Sequence, residues 1–258
     1  MNDRILIVRA CAVGDFVLNL PALRAIALRH PGARFTLVGY PQTLALAKPF
    51  IDIEAIHSIE SPPWSQLFIG PLANLNFISA WVWMKDPTLA NHLRESGVGT
   101  VFHAEPFSER LHAADHLLAT TGLPAPELPD LWSPGFERVI IQPGSGSPDK
   151  CWPWFEALSD RIPDVTMLIG PCEEGFQSRY PRLEGLTLSA VAEEIRRCRA
   201  FIGNDSGITH LAAYWGCPTI ALFGPSDPRI WGPVGRRVKV LFKSRLREIS
   251  VDDIIDIL

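Results

Sequence analysis

The chain has 258 residues, 47% of them hydrophobic and 20% charged, which is enough apolar material for one large core or two modest ones. Its formal net charge of -4 argues against a nucleic-acid binder, which carries a basic excess. The five cysteines (Cys11, Cys151, Cys172, Cys198 and Cys217) are scattered with no C-x-x-C pair, so they read as reduced thiols rather than a disulfide framework or zinc ribbon.

Met1 to Val8 enters an apolar strand directly, without the basic and apolar regions of a signal peptide. The longest apolar stretch, around Phe77 to Met84, falls far short of the roughly 20 residues of a membrane helix. A soluble, cytoplasmic protein is expected.

Ile5 to Val8 is a continuous apolar run of the kind found in a strand buried on both faces. A turn is expected at Val13, Gly14 and Asp15, then a helix with Leu20, Leu23, Ile26 and Ala27 on one face, Pro21 in its early turns and Pro31-Gly32 as its stop. Strands follow at 35–38 and 55–59. Residues 60–76, with Pro62, Pro63, Gly70 and Pro71, read as loop. A strand at 77–83, a helix at 88–96 stopped by Gly97, a strand at 98–103 and a helix at 109–121 complete the first half.

Residues 124–135 hold four prolines and a glycine and read as a linker. Beyond it, strands are expected at 139–142, 165–169, 200–202, 219–223 and 238–242. Helices are expected near 152–161, 173–180, 188–198, 207–215 and 251–258, the last with a capping box of Ser250 and Asp253. Alternating strands and helices predict parallel sheets covered on both faces, in two domains: 1–130 and 136–258.

Two segments carry chemistry. In the first, an apolar strand runs into Gly203 and Asn204, and Asp205, Ser206 and Gly207 then open an amphipathic helix. The first-turn amides of a helix lack internal acceptors and sit at the positive end of its dipole, which suits a diphosphate. The competing reading makes Asp205 an ordinary N-cap and Gly207 a packing glycine. In the second, Gly144, Ser145 and Gly146 follow a strand, with Lys150 offering a mobile charge suited to phosphate. Taken alone, that segment also reads as a solvated loop, and it is no Walker A motif.

Together the segments resemble a family. Pro143-Gly144-Ser145 with Lys150, Trp152 and Pro153, then 203–213 with Thr209 and His210, then Pro218 and Phe223 to Pro228 with Trp231, look like the donor domain of glycosyltransferase family 9, the lipopolysaccharide heptosyltransferases. Ile5 to Arg9, Val13 to Leu18 and Pro21 to Leu23 are similar to the start of the same family. The middle of the first half shows little similarity and is short for the family.

The resemblance implies two facing Rossmann-like domains of GT-B type with the active site in the interdomain cleft: a shortened acceptor-side domain at 1–130 and a nucleotide-sugar donor domain at 136–258. It implies an inverting transferase that moves a heptose or similar sugar from an ADP-sugar to a lipid-linked or lipopolysaccharide-core saccharide. A binding module without transfer activity and a nucleotide-sugar epimerase are the alternatives. Ser145, Gly146 and Lys150 would hold the donor diphosphate with Ser206 and Gly207. Asp205 and His210 would lie beside sugar and phosphates, and Glu173 would contact the ribose.

Asp15 matches the family's catalytic base. Glycosyl transfer needs the acceptor hydroxyl to lose its proton, and a carboxylate among apolar neighbours such as Val13 and Phe16 suits that task; a helix cap is its other reading. No metal or other cofactor is expected, because the site already holds positive charge and shows no carboxylate pair dedicated to a cation. No nucleic-acid partner is expected, and the resemblance allows peripheral association with the cytoplasmic face of the inner membrane. His112 and His116 have the i, i+4 spacing of metal ligands but fit a solvated helix face. Cys151 beside Lys150 reads either as a thiol of lowered pKa or as a simple loop thiol. Trp152, Trp154 and Trp231 are candidates for sugar stacking.

Overall fold

A computed structural model describes residues 3–173 and 175–258; Met1, Asn2 and Glu174, which fall in the N-terminal segment and in the helix expected at 173–180, lie outside the described residues. The chain divides into two compact units, Met1–Pro126 and Glu127–Leu258. The division falls within the proline-rich stretch 124–135, where a chain without regular backbone partners can leave one core and enter another.

The first unit contains β1 (Arg4–Arg9), α1 (Val13–Arg29), β2 (Arg34–Gly39), α2 (Pro41–Leu44), β3 (Ile53–Ser58), β4 (Ser79–Trp83), α3 (Thr88–Glu95), β5 (Thr100–Ala104) and α4 (Ala113–Ala119). Its five strands lie in the order β3-β2-β1-β4-β5 and are parallel throughout. Ile5 to Val8 are fully buried, as a continuous apolar run in a central strand requires. Leu6, Val8, Ala80 and Val82 join Leu89, Ala90 and Leu93 of α3 in one core cluster. Because side chains alternate, Ile7 and Arg9 point to the other face, and there Ile7 pairs with Trp81.

The second unit contains β6 (Val139–Gln142), α5 (Phe155–Ser159), β7 (Val165–Ile169), β8 (Arg182–Glu184), α6 (Leu188–Arg197), β9 (Ala200–Asn204), α7 (Gly207–Tyr214), β10 (Thr219–Phe223), α8 (Pro228–Trp231), β11 (Val238–Phe242) and α9 (Val251–Ile255). Its six strands are also parallel, in the order β11-β10-β9-β6-β7-β8. Val139, Ile141, Met167, Ile202 and Leu222 pack with Phe155, Leu158 and Ile254 into its core.

In each sheet the strand order reverses beside the first strand of the unit, between β1 and β4 and between β6 and β9. The carboxyl ends of strands at such a switch point leave a crevice, because the loops on either side lead to opposite faces of the sheet.

Several local expectations shift, each for a visible reason. Val13, Gly14 and Asp15 form the first turn of α1 instead of a turn before it, and Pro21 consequently lies in the helix interior. The helix expected at 109–121 starts only at Ala113, because His112 is extended and its Nδ1 accepts the Ala114 amide at 3.2 Å. The helix expected at 152–161 starts at Phe155, since the Trp152 amide is held by the Asn204 side chain at 2.9 Å. Among the described residues of 173–180 a 3-10 turn over Pro171–Glu173 replaces the expected helix, and Gly175 has a φ of +85°, where a helix cannot continue. The capping box of Ser250 and Asp253 is present. The short polar strand β8 and the helices α2 and α8 carry no periodicity that sequence reading could use.

Candidate functional site

The segments after β6 and β9 meet at the switch point of the second unit. Asn204, fully buried at the end of β9, donates through Nδ2 to the carbonyls of Pro143 (2.8 Å) and Gly144 (3.2 Å), while its Oδ1 accepts the Trp152 amide. One side chain thereby fixes both ends of the Gly/Ser loop. Ser145 closes it further, its Oγ donating to the Asp205 carbonyl at 2.7 Å. A Cβ at Gly144 would stand 2.1 Å from Glu173 Oε1, so a side chain there would displace the Glu173 carboxylate.

The charged centre is Asp205. Its Oδ2 lies 2.6 Å from Lys150 Nζ, and its Oδ1 lies 3.6 Å from His210 Nε2. Burial works to raise its pKa, but His210, Lys150 and Ser226 more than offset this, and the carboxyl sits at about 2, below its ordinary 3.8. Asp205 is therefore an anion at neutral pH. His210 is 5% exposed, and its Nδ1 is buried with no partner among the described residues.

Asp205 is not the cap of α7. Ser206 is the N-cap, accepting the Thr209 amide at 3.3 Å. The Ser206 hydroxyl also donates to Gln142 Oε1 at 2.6 Å, and Gln142 Nε2 donates to Glu173 Oε1 at 3.0 Å. Glu173 is buried and takes a second bond from the Gly170 amide at 2.8 Å. Gln142 thus links the helix terminus to Glu173. The sequence offered one signal for it, a polar residue closing an apolar strand.

Beside Glu173 a pocket of about 450 Å³ is lined by Pro143, Gly144, Trp152, Phe155, Cys172 and Phe176, among others. Its size falls within the range of about 300 to 1,000 Å³ common for small-molecule sites. Trp152 walls it but is otherwise committed to the core, with its indole N–H on the Ile249 carbonyl at 2.9 Å; it is no free stacking surface. Trp154 is half exposed. Trp231 ends α8.

Ser145, Lys150, Glu173, Asp205, Ser206, Gly207 and His210 thus share one end of one sheet. Gly146 is exposed, with open space where a side chain would stand, and makes no part of the hydrogen-bonded cradle. Lys150 is not a free loop charge but is ion-paired. Cys151 is not an activated thiol either, because burial pushes its pKa up. His112 caps α4, and His116 Nε2 donates to the Glu105 carbonyl at 2.9 Å; both rings are partly exposed. No helix among the described residues is long and apolar enough to cross a membrane. Asp15 lies in the first unit, half-buried in the first turn of α1, just beyond the carboxyl end of β1. The cap of α1 is Ala12, which has no side-chain oxygen, so Asp15 is not the N-cap.

Comparison with known proteins gives a consistent result. Residues 134–252 match the family model for glycosyltransferase family 9 (heptosyltransferase). Lipopolysaccharide heptosyltransferase 1 of Pseudomonas aeruginosa is 24% identical over an alignment of 305 positions, covering 90% of this chain and 82% of the relative. Among solved structures, E. coli heptosyltransferase WaaC with ADP superposes with a TM-score of 0.76 at 18% identity, covering 98% of each chain. The E. coli ADP-heptose lps heptosyltransferase II superposes with a TM-score of 0.78 at 17% identity, covering 98% of this chain and 96% of that one. The two-sheet, parallel α/β fold of GT-B type is therefore the fold of this chain.

Proposed function

We propose that this chain, whose residues 134–252 match the family model, is a member of glycosyltransferase family 9 and transfers a heptose from ADP-heptose to a saccharide of the lipopolysaccharide core. The observation that carries the reading is the cradle at the β6/β9 switch point, where Lys150, Ser145, His210 and the start of α7 surround one anionic centre beside a nucleoside-sized pocket.

In this reading the adenosine occupies the pocket, with Glu173 towards the ribose. The diphosphate lies along the Gly/Ser loop. Its oxygens draw on Lys150 and on the first-turn amides of α7, whose dipole favours negative charge. Lys150 already has a partner in Asp205, so the arriving diphosphate shares or takes over a cation that is held in place beforehand. That arrangement suits the step in which the leaving nucleoside diphosphate gains negative charge, because the stabilising groups need no reorganisation.

Asp15 serves as general base. It takes the proton of the acceptor hydroxyl as the oxygen attacks the anomeric carbon, and the bond to the diphosphate oxygen breaks on the opposite side. One base and no enzyme nucleophile gives a single displacement and inverted configuration. The first unit is then the acceptor side and the second the donor side. Peripheral contact with a membrane surface would follow from a lipid-linked acceptor.

The test is to incubate the protein with ADP-heptose, with and without a lipopolysaccharide-core acceptor, and to follow ADP release and the acceptor's mass. Acceptor-dependent release with a heptose-sized mass gain is expected, with inverted configuration by NMR. Conversion of the donor without acceptor would mean an epimerase, and ADP binding without any turnover would mean a binding module.

A further inference from the structure

Arg9 closes β1 at the switch point of the first unit, and the cradle of the second unit does not involve it. It is 3% exposed. Nη1 donates to the carbonyl of Trp83, the last residue of β4, at 3.2 Å, while Nε and Nη2 are buried without a partner among the described residues. A guanidinium carries five N–H groups and stays charged at any ordinary pH. Burying it with two nitrogens unmatched is unfavourable unless something supplies the missing acceptors.

The neighbouring groups do not. The Phe107 ring lies 5.7 Å from the guanidinium carbon and offers its face but no lone pair. Burial pushes the Cys11 thiol up to about 12, so its sulfur, which lies within hydrogen-bonding reach of Arg9, is a neutral and weak acceptor and no counter-ion. Asp15, whose charge is felt at Cys11, accepts no hydrogen bond from Nε or Nη2. The position matters as much as the deficit. The crevice outside the carboxyl ends of β1 and β4 is where a sheet of this order binds ligands, and Arg9 and Trp83 are the last residues of those two strands.

We propose that Arg9 is an oxyanion-binding residue of the first unit, taking a carboxylate or phosphate monoester of the ligand on Nε and Nη2. Those two nitrogens form one edge of the guanidinium fork and match the two oxygens of such a group side by side. A ligand on that edge would enter beside the Phe107 ring, which lies 5.7 Å from the guanidinium carbon. The inference rests on the transfer reading only in naming that ligand as the acceptor. There Arg9 would orient the acceptor towards Asp15 and select for its charge.

Thermal unfolding of the full chain, titrated with glucuronate, glucose 6-phosphate or glucose, tests this without any transfer assay. Wild type and Lys150→Ala should both gain Tm with one of the two anionic sugars and not with glucose; the more effective one tells carboxylate from phosphate. Arg9→Met should keep or raise the ligand-free Tm, since an apolar chain replaces an unmatched charge. Its anion affinity should fall by roughly thirtyfold or more, the effect of truncating one partner of a buried charge pair. Arg9→Lys keeps the charge without the fork, and serves if the Met variant does not fold; roughly tenfold weaker binding is expected of it. The proposal is overturned if neither anion stabilises wild type, if glucose acts equally, if Arg9→Met or Arg9→Lys responds as wild type does, or if Lys150→Ala abolishes the response. It is also overturned if Arg9→Met lowers the ligand-free Tm while retaining the anion response.

Discussion

Replacing Lys150 with alanine isolates the proposed diphosphate contact from the nucleoside contact. In the free protein Nζ is 2.6 Å from Asp205 Oδ2, and Lys150 is about one-third exposed while Asp205 is nearly buried. The substitution therefore removes a donor to the phosphates and also leaves the carboxylate with only His210 and Ser226 of the three groups that hold its pKa down. The first effect is worth about 1.5 to 3 kcal/mol, the scale of a hydrogen bond to a charged group. That weakens ADP roughly 10- to 150-fold. The second adds to it, because an anion held at low pKa lies where an anionic ligand must approach. Adenosine carries no phosphate and should lose almost nothing. Calorimetry with ADP and adenosine on wild type, Lys150→Ala, Asp205→Asn and the double variant reads both effects. The double variant should bind ADP better than Lys150→Ala alone, a non-additivity on the order of 0.5 to 3 kcal/mol for groups in contact. Equal weakening of ADP and adenosine would refute the reasoning, as would strict additivity.

The other consequences concern chemistry and stability. Asp15→Asn should lower the transfer rate by about 10²- to 10⁴-fold with ADP affinity unchanged; steady-state kinetics beside calorimetry would expose a purely structural role if the rate stayed near wild type. Transfer should survive EDTA, since Lys150 and the start of α7 supply the positive charge; an EDTA-sensitive rate restored by added divalent ion would contradict this. Asp205 has a folded pKa of about 2 against an ordinary 3.8, so it binds fewer protons folded than unfolded at intermediate pH. Its contribution, about 2 kcal/mol by linkage, is full above pH 4 and fades as pH falls towards 2. The stability gap between wild type and Asp205→Asn in urea titrations should shrink over that window and not above it. Asn204→Ala strands two carbonyls and the Trp152 amide, and should cost about 2 to 4 kcal/mol in chemical denaturation; a loss below about 1 kcal/mol would mean water or a shifted loop replaces the amide.

Much of the strand framework was legible because parallel strands buried on both faces must be apolar throughout. Val139 to Gln142, Val165 to Ile169 and Thr219 to Phe223 occupy the strands that their composition predicts. Helix starts were less legible, since several are set by bonds from distant residues. Trp152 is held out of α5 by Asn204, 52 positions away. Glu173 is drawn inward by Gln142 and the Gly170 amide where a helix was expected.

The sequence by itself determined the alternation of strand and helix, the proline-rich break between the units, and the residue types gathered after β6 and β9. All of these follow from local composition and the chain's own period. Tertiary structure alone decided what those residues do to one another. It paired Lys150 with Asp205 across 55 positions, made Ser206 instead of Asp205 the cap of α7, and left Gly146 outside the cradle. It also buried Arg9 with two of its three guanidinium nitrogens unmatched. A side chain's partner depends on which strands become neighbours in the sheet, and strand order is fixed by the packing of the whole unit rather than by any segment within it.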